Sequence, residues 1–206
     1  MSELSGPDRS SGASTVADAA RAALAGGLIV VPTDTVYGIG CLPFDAGAVE
    51  RLFEAKQRPR RLELPVLVPS AEAAVRISVA DDRARLLMER FWPGALTLVL
   101  SRSTDSRAWP LGGDEATIGV RMPAAAGALE LLSATGPLAV TSANRSGVPT
   151  PASCDEIRST FGTAVAAYLC DNSVVTGRAS CVVDLTAPEP RVLREGALAE
   201  RVLSFL

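Results

Sequence analysis

The sequence predicts one α/β domain in which helices and strands alternate along the chain. Its 206 residues are enough for one well-buried core and few for two ordinary domains. Hydrophobic residues make up 48% of the chain and charged residues 21%, a balance typical of a compact globular protein. No internal repeat interrupts the alternation, so we expect a layered α/β or mixed-sheet architecture.

A helix and a strand open the predicted fold. Apolar residues at helical spacing predict a helix that begins at Val16, is capped by Ser14 or Thr15, and is ended by Gly26-Gly27. The β-branched run at 28–31 predicts a buried strand. The strand leads into a polar turn, "PTDTVYGIG", and such strand ends are where α/β proteins assemble ligand sites.

A second helix is predicted over about Ala46 to Gln57. Its apolar residues share one face, and continuing that spacing places Lys56 on the core side. Pro59 disfavours helical conformation at the residue before it, so the helix should end near Arg58. Lys56 and Arg58 would then project from the carboxyl end of the helix.

The remaining elements are short and separated by turn residues. A polar loop on the surface is expected from 101 to 115, followed by a strand that carries Arg121 near its end. The further strands are predicted at 64–68, 96–100, 116–122, 137–140, 166–170, 180–185 and 190–194, and the further helices at 71–76, 81–90, 124–134, 155–161 and 198–205.

Charge and residue usage exclude several functions. The formal net charge of −3 argues against a main role in sequence-independent binding to nucleic acid, which depends on neutralising phosphates. The chain contains no histidine, which excludes Ser-His-Asp and Cys-His hydrolysis. Chemistry carried by positioning and charge neutralisation remains, and phosphoryl or nucleotidyl transfer is its leading case.

Other patterns concern cofactors and location. The four cysteines are scattered without a Cys-x-x-Cys pair, so we expect reduced thiols and no zinc, and nothing indicates haem or flavin. Residues 1–12 are polar and predict a flexible lead-in before a domain over 13–206. No run is long enough to span a membrane, which predicts a cytoplasmic protein.

Two polar motifs are candidate binding sites. The basic "KQRPRR" would suit a polyphosphate, although cations at a helix end also complement the helix dipole. The "TSANRSG" motif follows a strand and would offer neutral donors beside those cations, or would only satisfy its own turn. Arg121 needs an anion, either an internal carboxylate or a ligand's. Thr33, Thr35 and Tyr37 either pack within their turn or bind a ligand.

Eight segments share the order and spacing of one known family. They are "VPTDTVYGIG", "AKQRP" followed by "LPVLV", "FWPGALTLVL", "TIGVRMP", "PLAVTSANRSGVPTP", "SCVVDLT" and "VLREGAL". Together they resemble the YrdC-like threonylcarbamoyl-AMP synthase family over about Ala17 to Ala197, in its single-domain form. The joint Lys-x-Arg and Ser-x-Asn signature is the specific part of the resemblance.

The resemblance implies a twisted, largely mixed sheet flanked by helices around a deep, positively charged cavity. It implies a nucleotidyltransferase that forms L-threonylcarbamoyladenylate and pyrophosphate from L-threonine, bicarbonate or CO₂, and ATP, with Mg²⁺ as the expected metal. The product would serve the N6-threonylcarbamoyl modification of adenosine 37 in tRNA. Partner threonylcarbamoyl transferases would complete that modification, so this chain would bind RNA weakly at most.

Ten site residues follow from the resemblance. Lys56 and Arg58 match the Lys-x-Arg pair and would hold the ATP phosphates, while Ser142 and Asn144 match Ser-x-Asn and would line the nucleotide site. These four are the predicted catalytic residues. Positions that contact nucleotide are also matched by Thr117, Thr150 and Arg194, and positions that recognise threonine by Thr33, Arg121 and Ser180.

Three segments depart from the family pattern. Ala179-Ser180-Cys181 stands where Glu-Ser-Thr is common, Arg194-Glu195-Gly196 where Arg-Pro-Gly is common, and Glu63-Leu64 where Pro-Leu is usual. Two other functions remain in view. One is a related enzyme that makes an adenylate from a carbamoyl donor, and the other is an RNA-binding module.

Overall fold

The computed structural model describes residues 14–170 and 176–205, so the predicted lead-in over 1–12 lies outside the described residues. The helices there are α1 Val16–Leu24, α2 Ala46–Lys56, α3 Ala71–Ile77, α4 Asp82–Phe91, α5 Ala126–Thr135, α6 Cys154–Phe161 and α7 Ala199–Leu203. The strands are β1 Ile29–Val31, β2 Gly38–Cys41, β3 Val66–Leu67, β4 Ser78–Val79, β5 Leu96–Arg102, β6 Thr117–Arg121, β7 Leu138–Ser142, β8 Ala167–Tyr168, β9 Cys181–Asp184 and β10 Arg191–Arg194.

Across the described residues the strands form one mixed sheet. Its order is β10-β9-β5-β6-β3-β7-β2-β1-β8, and β4 pairs with β5. The pairs β1/β8, β3/β6 and β5/β9 are parallel, and the others are antiparallel. This arrangement confirms the predicted α/β class with a mixed sheet and helices.

The first two helices begin and end on recognisable signals. Thr15 caps α1, because its hydroxyl accepts from the Asp18 N–H at 3.1 Å while the Asp18 carboxylate accepts from the Thr15 N–H at 3.2 Å. Helix α2 ends at Lys56, and Gln57 takes a left-handed conformation with φ 51°. The turn at Gln57 separates Lys56, which is helical, from Arg58, which is not.

Strand β2 corrects one prediction. The segment "PTDTVYGIG" is not a turn throughout, because Gly38–Cys41 pairs with both β1 and β7. Glycine is rare in strands, which is why the pattern predicts a turn. A side chain at Gly38 or Gly40 would collide with Val140, so the glycines allow β2 to lie close against β7. The expected loop at 101–115 also begins later, because β5 continues to Arg102.

Two apolar clusters lie on opposite faces of the sheet. Ile29 and Val31 belong to a cluster formed with α1 and α5, whereas Val30 between them belongs to a larger cluster with α2 and α4. Successive side chains of a strand point to opposite faces, which explains the alternation. In the described part of the chain, no helix is long and apolar enough to cross a membrane.

The cysteines do not all behave as expected. Cys154 and Cys170 form a disulfide with their Cα atoms 6.0 Å apart, so the prediction of reduced thiols is wrong for this pair. No spacing motif marks two cysteines that meet only through the fold. Cys41 and Cys181 are free and buried, and burial raises the pKa of Cys41 to about 12.

Candidate functional site

A cavity of about 400 Å³ lies over one face of the sheet. On strands β5 and β6, one residue is buried in the core and the next lines the cavity. Leu98 and Val120 are buried in the larger apolar cluster, whereas their neighbours Val99 and Gly119 line the cavity. The volume falls within the range of small-molecule sites.

Most of the predicted site residues lie around this cavity. Its wall includes Thr33, Arg58, Arg121, Ser142, Thr150, Ser180 and Arg194. Lys56, Thr117 and Asn144 are not part of the wall. The assigned roles of all ten residues stay predictions.

The cavity has two ends, which lie near opposite ends of strand β6. Thr117 precedes Arg121 by four residues on β6, a distance of about 13 Å along an extended strand. Beside Thr117, Arg102 donates to the Thr117 carbonyl at 2.6 Å and to the Glu63 carboxylate at 3.0 Å. Arg58 donates to the Glu63 carbonyl at 2.8 Å. We call these regions the Arg121 end and the Arg58 end.

At the Arg121 end the guanidinium is held from three sides. Arg121 donates to the Gly94 carbonyl at 2.9 Å, to the Thr35 hydroxyl at 2.9 Å and to the Asp34 carboxylate at 2.7 Å. A guanidinium has five N–H groups, so two remain beyond these described bonds. Burial lowers the pKa of Arg121, and Asp34 opposes that shift. The residue therefore stays a charged fork with a fixed orientation.

Asp34 is a site residue that the sequence reasoning missed. Its Oδ1 accepts from Arg121 and also from the Ala124 N–H at 2.9 Å, which ties the turn after β1 to the entry of α5. The sequence did contain a signal for Asp34, because this acidic residue lies next to Thr33 in a polar turn that was already a candidate ligand site. The Thr33 hydroxyl itself bonds to the Val36 carbonyl at 2.6 Å and stabilises that turn.

Arg58 and Arg194 are held differently from Arg121. Besides burial, the charge of Arg194 lowers the pKa of both Arg58 and Arg121, which places Arg194 between the two ends, at the cavity centre. Arg58 donates to the carbonyls of Leu62 and Glu63 at 3.1 and 2.8 Å. Arg194 donates to the carbonyl and the hydroxyl of Ser180, both at 3.0 Å. Within the described residues neither arginine forms an ion pair. Burial lowers the pKa of both, and the charge of Arg194 adds to the shift at Arg58.

Glu63 adds a carboxyl group to the wall. It pairs with Arg102, whose side chain is only 1% exposed, rather than with Arg58. Burial raises the pKa of Glu63 to about 7, while Arg102 opposes the shift. Among the described residues, no group of three or more carboxylate or cysteine side chains could hold a metal ion.

Lys56 lies behind the loop that carries the Ser-x-Asn motif. Its ammonium donates to the carbonyl of Ser142 and, at 2.6 Å, to that of Asn144. The side chain is 1% exposed, and burial, followed by the charge of Arg58, lowers its pKa to about 7. The prediction that Lys56 faces the core side of α2 is confirmed.

The arrangement suits an anionic ligand with two different parts. A rigid guanidinium with two available N–H groups matches a single carboxylate. Two arginines without acidic partners match a polyphosphate, and Ser142 and Thr150 supply neutral polar groups on the same wall.

The model of one protein family matches most of the chain. The model described as "Telomere recombination", for Sua5, YciO and YrdC proteins, matches residues 21–196. The chain belongs to the Sua5/YciO/YrdC family. The match includes both ends of the cavity.

Individual members of the family resemble the chain closely. A Mycobacterium tuberculosis protein, provisionally named a threonylcarbamoyl-AMP synthase, is 44% identical over 193 residues, 93% of this chain and 88% of that one. The crystal structure of P. abyssi Sua5 complexed with L-threonine matches with a TM-score of 0.83 and 34% identity, over 93% of this chain and 57% of that one. E. coli YciO matches with a TM-score of 0.80 and 30% identity, over 88% and 89%.

Proposed function

We propose that this protein is an L-threonylcarbamoyladenylate synthase. It is a nucleotidyltransferase that converts L-threonine, bicarbonate or CO₂, and ATP into threonylcarbamoyl-AMP and pyrophosphate. The observation that carries the proposal is the cavity itself, in which an arginine fixed for a carboxylate and two arginines without acidic partners share one wall. Family membership supports the reaction, and a relative solved with L-threonine supports the amino acid.

Threonine would bind at the Arg121 end. The two remaining N–H groups of Arg121 would take its carboxylate as a bidentate pair. Thr33 and Ser180 lie on the same wall and would contact the rest of the amino acid. The Ser180 hydroxyl is shared with Thr97 at 2.8 Å and with Arg194, so it links the amino-acid side to the cations at the cavity centre.

ATP would bind with its phosphates between Arg58 and Arg194. Both guanidiniums are partly desolvated, which strengthens their attraction for phosphate oxygens. Ser142 and Thr150 line the same cavity and would contact the nucleotide. Thr117 and Asn144 would act from the margin of the site, since neither lines the cavity.

The reaction has two steps. The threonine ammonium and bicarbonate give an N-carboxylate with loss of one water and one proton. A carboxylate oxygen then bonds to the α-phosphorus of ATP while the bond from that phosphorus to the β-bridging oxygen breaks, and pyrophosphate leaves. An ionised oxygen nucleophile needs no general base for the second step, which suits a chain without histidine. Arg58 and Arg194 would offset the charge on the leaving group.

Mg²⁺ would enter with the nucleotide. The ion is usually held by substrate phosphates, waters and one or two carboxylates. Glu63 is the carboxylate that the described wall offers, and it is paired with Arg102. The donor set therefore fits an ion bound mainly by ATP and water, which would neutralise phosphate charge.

The product would be consumed elsewhere. A mixed anhydride of a carbamate and a phosphate is an activated acyl donor, so transferase proteins would pass the threonylcarbamoyl group to adenosine in tRNA. We place these steps in the cytoplasm. The chain itself needs no strong tRNA site for its own reaction.

Product mass tests the reaction directly. The purified protein is incubated with ATP, Mg²⁺, ¹³C-bicarbonate and threonine, and pyrophosphate release is followed together with the mass of any new adenylate. We expect release that depends on threonine and a threonylcarbamoyl-AMP that carries one ¹³C atom. Serine and valine in place of threonine serve as matched controls.

Two other results would redirect the assignment. Release with carbamoyl phosphate and without threonine would indicate the related carbamoyl-adenylate chemistry. No release with either donor, together with tight RNA binding that weakens steeply with salt, would indicate a binding module.

A further inference from the structure

Lys56 is the only lysine of the chain, beside 19 arginines. It is the last residue of α2, two positions before Arg58, yet the two side chains have different surroundings. Arg58 lines the cavity, whereas Lys56 does not and is 1% exposed. The Lys56 ammonium faces the loop that follows β7.

The contacts of Lys56 converge on that loop. Its Nζ donates to the carbonyl oxygen of Ser142, to the carbonyl oxygen of Asn144 at 2.6 Å, and to Oδ1 of Asn144 at 3.4 Å. In return, the Lys56 carbonyl accepts from the Ser146 N–H at 2.9 Å. The Asn144 amide nitrogen donates to the Arg145 carbonyl at 2.9 Å and to the Val148 carbonyl, which ties Asn144 to the residues that follow it.

We propose that Lys56 is a positioning residue for the nucleotide side of the cavity, acting through the Ser142–Ser146 loop rather than by touching phosphate. The proposal rests on the proposed function for the identity of the ligand. Ser142 lies on the cavity wall, so a shift of the loop moves a nucleotide contact without any change at Arg58.

The chemistry of the two cations explains why a lysine stands here. An ammonium is a compact donor with three tetrahedrally arranged N–H groups, which suits three acceptors that converge from one loop. The planar fork of arginine suits phosphate or carboxylate instead. Loss of the ammonium would leave the Ser142 carbonyl with the Asn144 N–H, at 2.9 Å, as its donor, and would remove the lysine donor from the Asn144 carbonyl. Removing donors from a half-buried loop is costly and would loosen it.

Ligand binding separates positioning from direct phosphate contact. We compare Lys56→Met with Arg58→Met, and use Arg21→Met, which removes an exposed cation on α1, as the matched control. Calorimetry measures affinity for pyrophosphate, which has no nucleoside, and for ATP. We expect Lys56→Met to change pyrophosphate affinity by less than about threefold and to weaken ATP about tenfold, with threonine affinity unchanged.

A double-mutant cycle tests the route of the effect. If Lys56 acts through the loop, the losses in ATP affinity from Lys56→Met and Ser142→Ala are smaller together than their sum. The losses from Lys56→Met and Arg58→Met are closer to additive, because the two side chains bond to different carbonyls, although their charges interact. A loss of pyrophosphate affinity in Lys56→Met as large as in Arg58→Met would overturn the proposal.

Two further measurements do not depend on the reaction, and the first of them needs no variant. Labelling lysine with ¹⁵N and ¹³C in the wild type gives a single side-chain signal, and we expect pyrophosphate to leave it nearly unchanged. A large shift would place Lys56 against phosphate and refute positioning. Amide exchange at 142–148, faster in Lys56→Met without any ligand, supports the loop role, and unchanged exchange there contradicts it. Failure to form the adenylate would count against the proposed function alone.

Discussion

At the Arg121 end of the cavity a guanidinium is bonded to a carboxylate, whereas at the Arg58 end it is bonded only to backbone carbonyls. Asp34 offsets the charge of Arg121 and fixes its plane. Within the described residues no such partner offsets Arg58 or, at the cavity centre, Arg194. Both regions lie on the same wall, so the difference arises from their immediate bonding partners.

The comparison shows how one charged group can serve two purposes. A guanidinium with an internal carboxylate contributes direction more than net charge, which suits recognition of one small carboxylate in a fixed pose. A guanidinium held by neutral carbonyls keeps its full charge for the ligand, which suits a polyphosphate. Substitutions should therefore separate the two ends by substrate.

The largest effect is expected from Arg58→Met. It removes uncompensated charge from the Arg58 end, and two charge-assisted bonds to phosphate correspond to about a 100-fold or greater loss of kcat/KM for ATP. The KM for threonine should change by less than about threefold, because the Asp34–Arg121 pair is untouched. Initial rates of pyrophosphate release at varied ATP and threonine measure both quantities. Equal losses for the two substrates would contradict the division between the ends.

Arg121→Ala should produce the opposite pattern. If Arg121 binds the threonine carboxylate as proposed, its removal takes away the bidentate partner, so the KM for threonine should rise about 30-fold while the KM for ATP changes little. Arg191→Ala is the matched control, because Arg191 also pairs with an aspartate, Asp184 at 2.8 Å, but does not line the cavity. A comparable rise in the control would mean that loss of any such ion pair disturbs the sheet.

Asp34→Asn tests whether orientation matters apart from charge. The amide oxygen can still accept from the Ala124 N–H, but its bond to Arg121 becomes weaker and neutral. We expect the KM for threonine to rise about five- to tenfold, less than in Arg121→Ala, because the guanidinium remains but its plane is less fixed. A melting temperature close to that of the wild type would exclude a folding defect. An ATP effect as large as the threonine effect would refute the positioning role.

Sequence reasoning located the site better than the partners within it. The motif residues Thr33, Arg58, Arg121 and Ser142 do meet at one cavity, because strand ends and polar turns mark where side chains leave the core. The partners of Arg121 lie in other segments, and its carboxylate partner, Asp34, is 87 residues away in sequence. No local pattern specifies such a pairing, so the sequence left an internal carboxylate and a ligand equally open.

The side chain of Lys56 also shows that a local sequence pattern does not specify bonding partners that are distant in sequence. Helical spacing places it on the buried face of α2, which is what the structure has. Periodicity cannot say what a buried ammonium meets, and its acceptors are backbone carbonyls 86 and 88 residues away. Strand β2 was not predicted because its glycines are typical of a turn. In the structure the same glycines allow β2 to lie close against β7, and this contact is visible only in the assembled sheet.

Glu63→Gln should give the smallest effect and the one that depends on pH. Burial raises the pKa of Glu63 to about 7, so at pH 6 the carboxyl is mostly neutral and at pH 8 mostly ionised. The ionised form places a negative charge on the same wall as Arg58, the proposed phosphate-binding residue, so it should weaken ATP binding in the wild type as pH rises. The variant carries no such charge. We expect the ratio of wild-type to variant Kd for ATP to be near one at pH 6 and about two- to threefold at pH 8, since the paired Arg102 offsets much of the carboxylate's charge.

Expressing the result as a ratio cancels the titration of ATP itself, which is common to both proteins. A ratio that stays constant between pH 6 and pH 8 would mean that the titration of Glu63 does not act on ATP. A ratio that falls below one would mean that the carboxylate assists the nucleotide, as a contact to Mg²⁺ or to a hydroxyl would. A carboxylate would then take part in ligand binding at the Arg58 end, as Asp34 does through Arg121 at the other end. The two ends would differ in how strongly a carboxylate contributes, rather than in whether one is present.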